Sequence, residues 1–456
     1  MSESSLRRRG NGALHIGVIG SGISGLSAAW TLSQAHHVTL IEREARLGGH
    51  SNTVDVRGAA GAVPVDTGFI VYNPVNYPNL VALFDHLGVE TQPSDMSFAA
   101  SIDDGAFEYS GGDLAGLVAQ PTNLLRPRFW RMLRDILRFY GEAPAVLDPA
   151  FEPGLTLGDY LSREGYGESF LDDHLLPMAA AIWSTDAPDV RQFPLRSFVR
   201  FCASHGLLKL RDRPQWRTVT GGSRRYVERL AAGISGEIRL GCGVRAVRRG
   251  ADGVIVTDET GAEQRFDQIV LATHADISLR LLADAGHRER AILGAFRYQS
   301  NTAVLHHDPA LMPRRRRAWS SWNYVGQSGR VAGGPLCVTY WMNRLQRLQG
   351  IDELFVTLNP DRPIAADRIV RTIDYAHPVF DLGTEKAQAE LGGIQGLGGI
   401  WHCGAWAGWG FHEDGLQSGL AVAEAIGGVR RPWNVANESG RLGSLPPPRA
   451  AAMAAA

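Results

Sequence analysis

Between residues 14 and 42 the chain can hardly be anything but a nucleotide-binding unit. Leu14 to Ile19 (LHIGVI) has the composition of a buried strand, and Gly20-Ser21-Gly22-Ile23-Ser24-Gly25 follows at once. Leu26 to Ser33 then has helical character, and a second apolar strand, His37 to Ile41, ends on Glu42. This order is the βαβ dinucleotide fingerprint with its acidic residue in place. Gly20 serves the tight turn, Gly22 lets the backbone approach a pyrophosphate, and Gly25 lets the helix pack on the strand. The helix N-terminus offers unpaired N–H groups and a partial positive charge to phosphates. Glu42 is placed to accept from ribose hydroxyls, with Arg43 beside it. The expected fold class is α/β, with a Rossmann-like dinucleotide-binding domain carrying an inserted α+β substrate domain.

The loop alone does not separate NAD from FAD. Just past Glu42 stands Arg46-Leu47-Gly48-Gly49-His50-Ser51-Asn52, a second glycine pair. Val63 to Asn73 (VPVDTGFIVYN) reads as a strand interrupted at Gly68, and Ile400-Trp401-His402-Cys403-Gly404 as a strand entering a turn. Gly410-Phe411-His412-Glu413-Asp414-Gly415 then leads into an apolar helix over Leu416 to Ile426.

Over nearly all of residues 14 to 433 the chain resembles the FAD-dependent amine oxidase, phytoene desaturase and protoporphyrinogen oxidase superfamily, most specifically at E-x-x-x-R-L-G-G and the terminal G-x-x-x-x-G-L-x-S-G helix. The resemblance implies FAD, and the absence of a cysteine from the family's covalent-attachment turn makes it non-covalent. It puts Arg46, Leu47, Gly48, Gly49 and His50 beside the pyrophosphate, and Thr67, Gly68, Phe69 and Ile70 against the isoalloxazine ring. The terminal helix (Glu413, Asp414, Gly415, Leu416, after Gly404) points at the pyrimidine side, and Val244 packs on the adenine. Glu237 to Arg249 is the strand carrying Val244. Val254–Thr257 and Gln264–Phe266 form a hairpin, and 267–272 returns to the nucleotide sheet. More narrowly, the chain is similar to a bacterial branch of predicted NAD/FAD-binding proteins, through stretches such as Met178-Ala179-Ala180-Ala181-Ile182-Trp183-Ser184 and Asp212-Arg213-Pro214-Gln215-Trp216. That similarity implies an association with cyclopropane and methylated (furan) fatty-acid metabolism.

Three departures from the amine oxidase pattern stand out. His50 replaces an arginine, no cysteine occupies the covalent-attachment turn (Cys403 lies on the strand), and Gly404-Ala405 lacks the usual acidic residue.

The 456 residues suit two or more substructures, expected as a discontinuous FAD domain (12–98, 215–275, 395–433) and a substrate domain (99–214, 276–394). The ends, 1–11 and 434–456, read as disordered tails, and Arg7-Arg8-Arg9 as part of the first rather than an export signal. A net charge of −1 gives no field for nucleic acid. The four cysteines, without CxxC or zinc spacing, suggest a reducing, cytoplasmic setting and no metal. No run is long enough to span a membrane.

The first insertion reads as helical, around Arg128–Glu142, Leu157–Glu164 and Phe170–Ala181. The second mixes a helix (Ile277–Ala283) with strands such as Ser300–His306 and Pro335–Trp341. In the 128–140 helix Arg128, Arg131, Arg134 and Arg138 share one face, with Phe129, Met132, Leu133, Ile136 and Leu137 opposite. That pattern permits peripheral contact with an anionic membrane surface, and core packing with solvated arginines is the plainer reading. Arg314 to Arg317 reads as a solvated loop.

The flavin carries the redox step itself. With no second nucleotide unit, NADPH is not expected as direct reductant, and the sequence leaves the electron acceptor open. Candidate catalytic residues are His412, as a proton carrier near neutrality, Tyr72 (with Asn73) reaching substrate, and Trp409 or Trp406 walling it. Lys209 and Lys386 are the sole lysines, so a lysine-held water has few candidates. The expected activity is hydride removal from a C–H bond of a hydrophobic substrate, most specifically a methylated acyl lipid. A hydrogen-peroxide-producing amine oxidase, a flavin-dependent sugar mutase and a non-catalytic flavoprotein subunit remain open.

Overall fold

The computed structural model describes residues 12–112, 114–185, 187–327 and 337–443. Arg7–Arg9, Pro335 and the tail beyond 443 lie outside them. The first strand, β1 (His15–Ile19), is the middle of a five-stranded parallel sheet. On one side stand Gln268–Leu271 and Ile400–His402, on the other β2 (His37–Ile41) and Glu237–Arg239. An apolar run without alternation suits β1, because both faces of a parallel sheet are covered. Helix α1 (Ile23–Leu32) starts three residues ahead of its expected start and is buried along its whole length. It is clamped between the sheet and the final helix, His412–Ile426.

Two glycines of the final helix make that clamp possible. A Cβ on Gly415 would stand 2.8 Å from Ile23 Cγ2, and one on Gly419 would stand 2.1 Å from the Ser24 carbonyl oxygen. The two helices therefore touch backbone to backbone at their N-terminal ends. The meander Val244–Gly250, Gly253–Asp258 and Glu263–Phe266 leads back into the parallel sheet.

A seven-stranded mixed sheet forms the other half. Phe98–Ile102 and Phe107–Ser110 come from the first insertion and the remaining five strands from the second. The joint is a parallel pairing of Phe98–Ile102 with Trp322–Gly326. Helices Pro127–Glu142, Leu157–Arg163, Leu176–Trp183 and Leu195–Ser204 cover it. A wide π turn, Leu171–Leu175, precedes the third of these.

Several expectations need correction. The strand expected over Val63–Asn73 is Gly61–Asp66. Beyond it the chain folds back onto the 50–52 loop, where Phe69 N–H donates to the His50 carbonyl and Thr67 N–H to that of Asn52. The stretch expected as one strand over Glu237–Arg249 is two, in different sheets, broken where Gly241 takes a φ of +63°. The last helix begins at His412, four residues before the expected Leu416, because Asp414 accepts the Phe411 N–H at 2.8 Å and closes the first turn.

On the Pro127–Glu142 helix, Phe129, Met132, Asp135, Ile136 and Phe139 are buried, while Leu137 is exposed. Its arginine face is largely paired: Arg128 with Asp173, Arg134 with Asp135, Arg138 with Glu142. Arg314–Arg317 is an anchor rather than a solvated loop, since the buried Glu108 carboxylate accepts the Arg314 and Arg315 N–H groups and pairs with the Arg315 side chain. The expected disorder from 434 does not hold for 434–443, where Arg441 reaches Asp414 and stacks over Trp409.

Candidate active site

One cavity of about 1870 Å³ runs from the 20–25 loop into the space between the helical cover and the large sheet. A single small-molecule site occupies roughly 300–1,000 Å³, so there is room for a dinucleotide and a further ligand.

The nucleotide end follows from glycine geometry. Gly20 has a φ of +99°, which only glycine adopts without strain. A Cβ on Gly25 would lie 1.9 Å from the Gly20 carbonyl oxygen, so the helix rests directly on the turn. A Cβ on Gly22 would meet nothing within 4 Å, because its open side faces the cavity. Helix α1 has neither a side-chain cap nor an acid in its first turn, so its leading N–H groups are available to an anion. The second glycine pair closes over this spot: Gly48 N–H donates to the Ser21 carbonyl at 3.0 Å, and a Cβ on Gly49 would stand 3.2 Å from Gly22 Cα. Glu42 accepts from the Ser21 N–H and hydroxyl at 2.8 and 2.6 Å and from the Glu44 N–H at 2.8 Å. Arg43, Arg46 and Val244 line the same end.

The middle of the cavity is walled by Thr67, Gly68, Phe69 and Ile70. Phe69 stacks on His412, with ring centroids 3.8 Å apart. His412 Nε2 lies 2.7 Å from the Tyr226 hydroxyl, which also bonds Ser51. Opposite, the Tyr375 hydroxyl is held by Thr67 and Asn52, and His50 stacks on its ring at 5.0 Å. His50 Nε2 is buried without a protein partner. An orphaned polar atom, an open Gly22 and an uncapped helix fit an extended phosphate-bearing cofactor.

The histidines here are neutral. Burial pushes His412 down to about 3 and His377 to about 4, and holds His50 well below its ordinary value. The expectation that His412 titrates near neutrality is therefore corrected: a dry, ring-stacked position leaves its cationic form without solvation.

The model of the flavin containing amine oxidoreductases matches residues 23–344. This chain belongs to that family. A Mycobacterium tuberculosis protein provisionally named flavin-containing monoamine oxidase AofH is 29% identical over 259 residues, an alignment covering 55% of this chain and 55% of that protein. The match thus spans about half the length of that relative. Among solved structures, putrescine oxidase bound to putrescine superposes with a TM-score of 0.64 at 16% identity, covering 91% of this chain and 99% of that one. A fatty acid isomerase from P. acnes superposes at 0.63 and 15%, covering 89% and 97%. Similarities this low show a shared fold.

In this family member most of the expected cofactor residues line the cavity, from Gly20 to Ser24 and Gly48 to His50, with Gly404. Gly25, Leu47, Gly415 and Leu416 do not, and act by packing. The Glu413 carboxylate accepts from Asn79 and Leu80 N–H at 3.0 Å, and Asp414 is tied to Phe411 and Arg441. Burial pushes both carboxyls up. Both therefore brace the helix start rather than reach into the cavity.

Two expected catalytic residues are displaced. Tyr72 is buried between Tyr77 and Phe84 and does not line the cavity. With the strand ended at Asp66, alternation no longer predicts which way it faces. Trp409 is turned toward Arg441 and Phe201, while Trp406 lines the cavity with its N–H given to the Thr273 carbonyl. Cys403 is buried off the cavity, and burial pushes its thiol up to about 12. Sequence reading missed His274, Tyr298, Tyr375 and His377, which line the cavity as isolated polar residues outside any motif.

Past Phe201 and Phe411, which stack at 4.7 Å, the cavity continues as an aromatic arm reaching Phe98, Tyr109 and Trp322. Lys209 and Lys386 are exposed and line no part of it. The described lining carboxylates are Glu42, taken up with Ser21, and the exposed Glu44, Asp55, Glu259 and Asp374.

Proposed function

We propose that this flavoprotein removes two hydrogens from a neutral, hydrophobic substrate, and specifically from a methylated acyl chain of a lipid. The arm carries this reading: it is long, aromatic, and offers neither lysine nor a buried carboxylate. A desolvated ammonium needs a counter-charge or a polar cage, whereas an acyl chain needs only dry walls. When bound, FAD accepts the hydride at its N5. The chain's own part is to seat the cofactor on the two helix ends, stack Phe69 and His412 as one wall of the ring site, and exclude water with the Phe201–Phe411 pair. An amine is the second reading, favoured by the name of the Mycobacterium relative.

The test compares membrane acyl profiles of cells with and without the gene, in a host supplied with methylated acyl chains. Loss of two hydrogens from one acyl species, only with the gene, is the expected result. An unchanged profile together with peroxide released from an amine would overturn the proposal.

No described helix is long and apolar enough to cross a membrane. The mouth of the arm nevertheless suits one lying on a membrane surface. Leu125 is 85% exposed, Trp130 and Leu137 are each 54% exposed, and Leu210 is 67% exposed. Leu137 and Leu210 also line the cavity, beside Arg211 and Arg213. Burying one leucine side chain is worth about 1.5–3 kcal/mol. Leu125→Ser with Trp130→Ser should lower co-sedimentation with phosphatidylglycerol vesicles by roughly tenfold or more. Equal sedimentation of variant and wild type would remove the membrane contact from the proposal.

A further inference from the structure

His174 stands in the aromatic arm with one ring nitrogen unused. It belongs to the π turn Leu171–Leu175, a wide turn that commonly marks functional positions. The turn is anchored by Arg128, whose Nε donates to the Asp173 carboxylate at 2.6 Å. The side chain of His174 is more than nine-tenths buried, and it lines the cavity. Its Nε2 has no hydrogen-bond partner, and native structures seldom leave such an atom unexplained.

The neighbours fix its protonation. The Tyr109 hydroxyl oxygen lies 2.8 Å from the Asp173 carbonyl oxygen and 3.0 Å from His174 Nδ1. A phenol has one proton, and a carbonyl oxygen can only accept. The tyrosine proton therefore goes to Asp173. His174 Nδ1 must then carry hydrogen and donate to the tyrosine oxygen, since otherwise two lone pairs would face each other at 3.0 Å. Burial pushes this imidazole down to about 4, with the Arg213 charge acting in the same sense. A neutral ring with hydrogen on Nδ1 leaves Nε2 as a bare acceptor.

We propose that His174 Nε2 receives a hydrogen-bond donor of the substrate, and that this donor is a neutral free hydroxyl carried by the acyl lipid. The assignment rests on the reading of a neutral, hydrophobic substrate and adds a requirement to it. The ester groups of such a lipid, like ethers, offer acceptors alone, and two acceptors facing each other in a dry pocket repel, so a free hydroxyl of the molecule is required. An ammonium group also donates, but the arm has no buried carboxylate to balance it, and Arg213 stands on the same side. Phe98, which also lines the cavity with its ring centroid 6.5 Å from the imidazole, gives the rest of a chain an apolar contact.

Equilibrium dialysis of labelled decan-1-ol and 1-methoxydecane against the FAD-loaded protein tests it. The two probes share a chain and differ in the donor. Wild type should bind the alcohol at least tenfold more tightly than the ether. His174→Phe, with flavin content and thermal midpoint as checks of folding, should bind both alike, with ether affinity within threefold of wild type. Equal affinities in wild type would overturn the assignment, whether or not the variant folds. So would a preference for alcohol that survives in His174→Phe, or decylamine binding more tightly than the alcohol. Binding of neither decyl chain would instead strike at the hydrophobic-substrate reading itself.

Discussion

Gly25→Val yields a colourless protein. The valine Cβ would fall 1.9 Å from the Gly20 carbonyl oxygen and 3.0 Å from Ala272 Cβ, both on elements that the parallel sheet holds in place. Helix α1 must lift, and its leading N–H groups lift with it. Hydrogen bonds to charged groups are worth about 1.5–3 kcal/mol each, so losing two of them lowers FAD affinity at least 100-fold. Gly22→Ala separates binding from folding. Its Cβ enters open space, so the thermal midpoint of the cofactor-free protein should be unchanged while FAD affinity drops. The ratio of absorbance at 450 and 280 nm after desalting reads the first effect, and dialysis of cofactor-free protein against FAD reads the second. Full flavin occupancy in Gly25→Val would refute the geometry of the nucleotide end.

Arg431→Met costs about 3 kcal/mol of stability. Arg431 is wholly buried and gives two hydrogen bonds to Glu424, at 2.8 and 2.9 Å, and one each to Asn79 and the Glu438 carbonyl. Removing one partner of a buried pair typically costs 3–5 kcal/mol. The lower end is expected here because Arg430, half exposed, still reaches Glu424 at 2.9 Å. For a chain of this length the thermal midpoint should fall by roughly 3 °C.

The effect depends on pH in a defined direction. Burial works against ionisation of Glu424, but hydrogen bonds from the Arg431 side chain and backbone outweigh it and hold the carboxyl below its ordinary 4.5. A carboxyl lowered by folding stabilises above its unfolded value, and that contribution fades as pH falls through the folded value. The difference between wild type and variant should be full at pH 7 and shrink below about pH 4.5. A gap that stays constant down to pH 3.5 would mean the pair is not what Arg431 contributes. The loss should also reach the flavin helix, because Asn79, which accepts from Arg431, donates to Glu413 at 2.9 Å.

What could be read from the sequence was local. The β1–α1–β2 unit declares itself because its glycines, periodicity and acid all fall within thirty residues. The start of the last helix does not, because residues 410–415 are polar and glycine-rich. Asp414 closes the first turn on Phe411, and Glu413 is held there by Asn79 and Leu80, more than three hundred residues away. His174 gave no signal either: one histidine outside any motif matters only once Tyr109, from another element, lies beside it. Tyr72 and Trp409 were misplaced for the opposite reason. Each belongs to a stretch that touches the cavity, but a single bend decides which way an aromatic ring turns, and no periodicity records the bend.

The order of strands in the parallel sheet has a consequence for how the protein is made. Its five members come from residues 15–19, 37–41, 237–239, 268–271 and 400–402. The helix that completes the flavin pocket ends only at residue 426. While the ribosome is still adding the second insertion, the glycine loop is already out, yet it lacks the neighbours that shape it. Cofactor capture must therefore wait until the helix that ends at residue 426 has left the exit tunnel. A nascent chain stalled before residue 400 should carry no flavin, because one strand of the sheet and the helix that closes the pocket are still to be made.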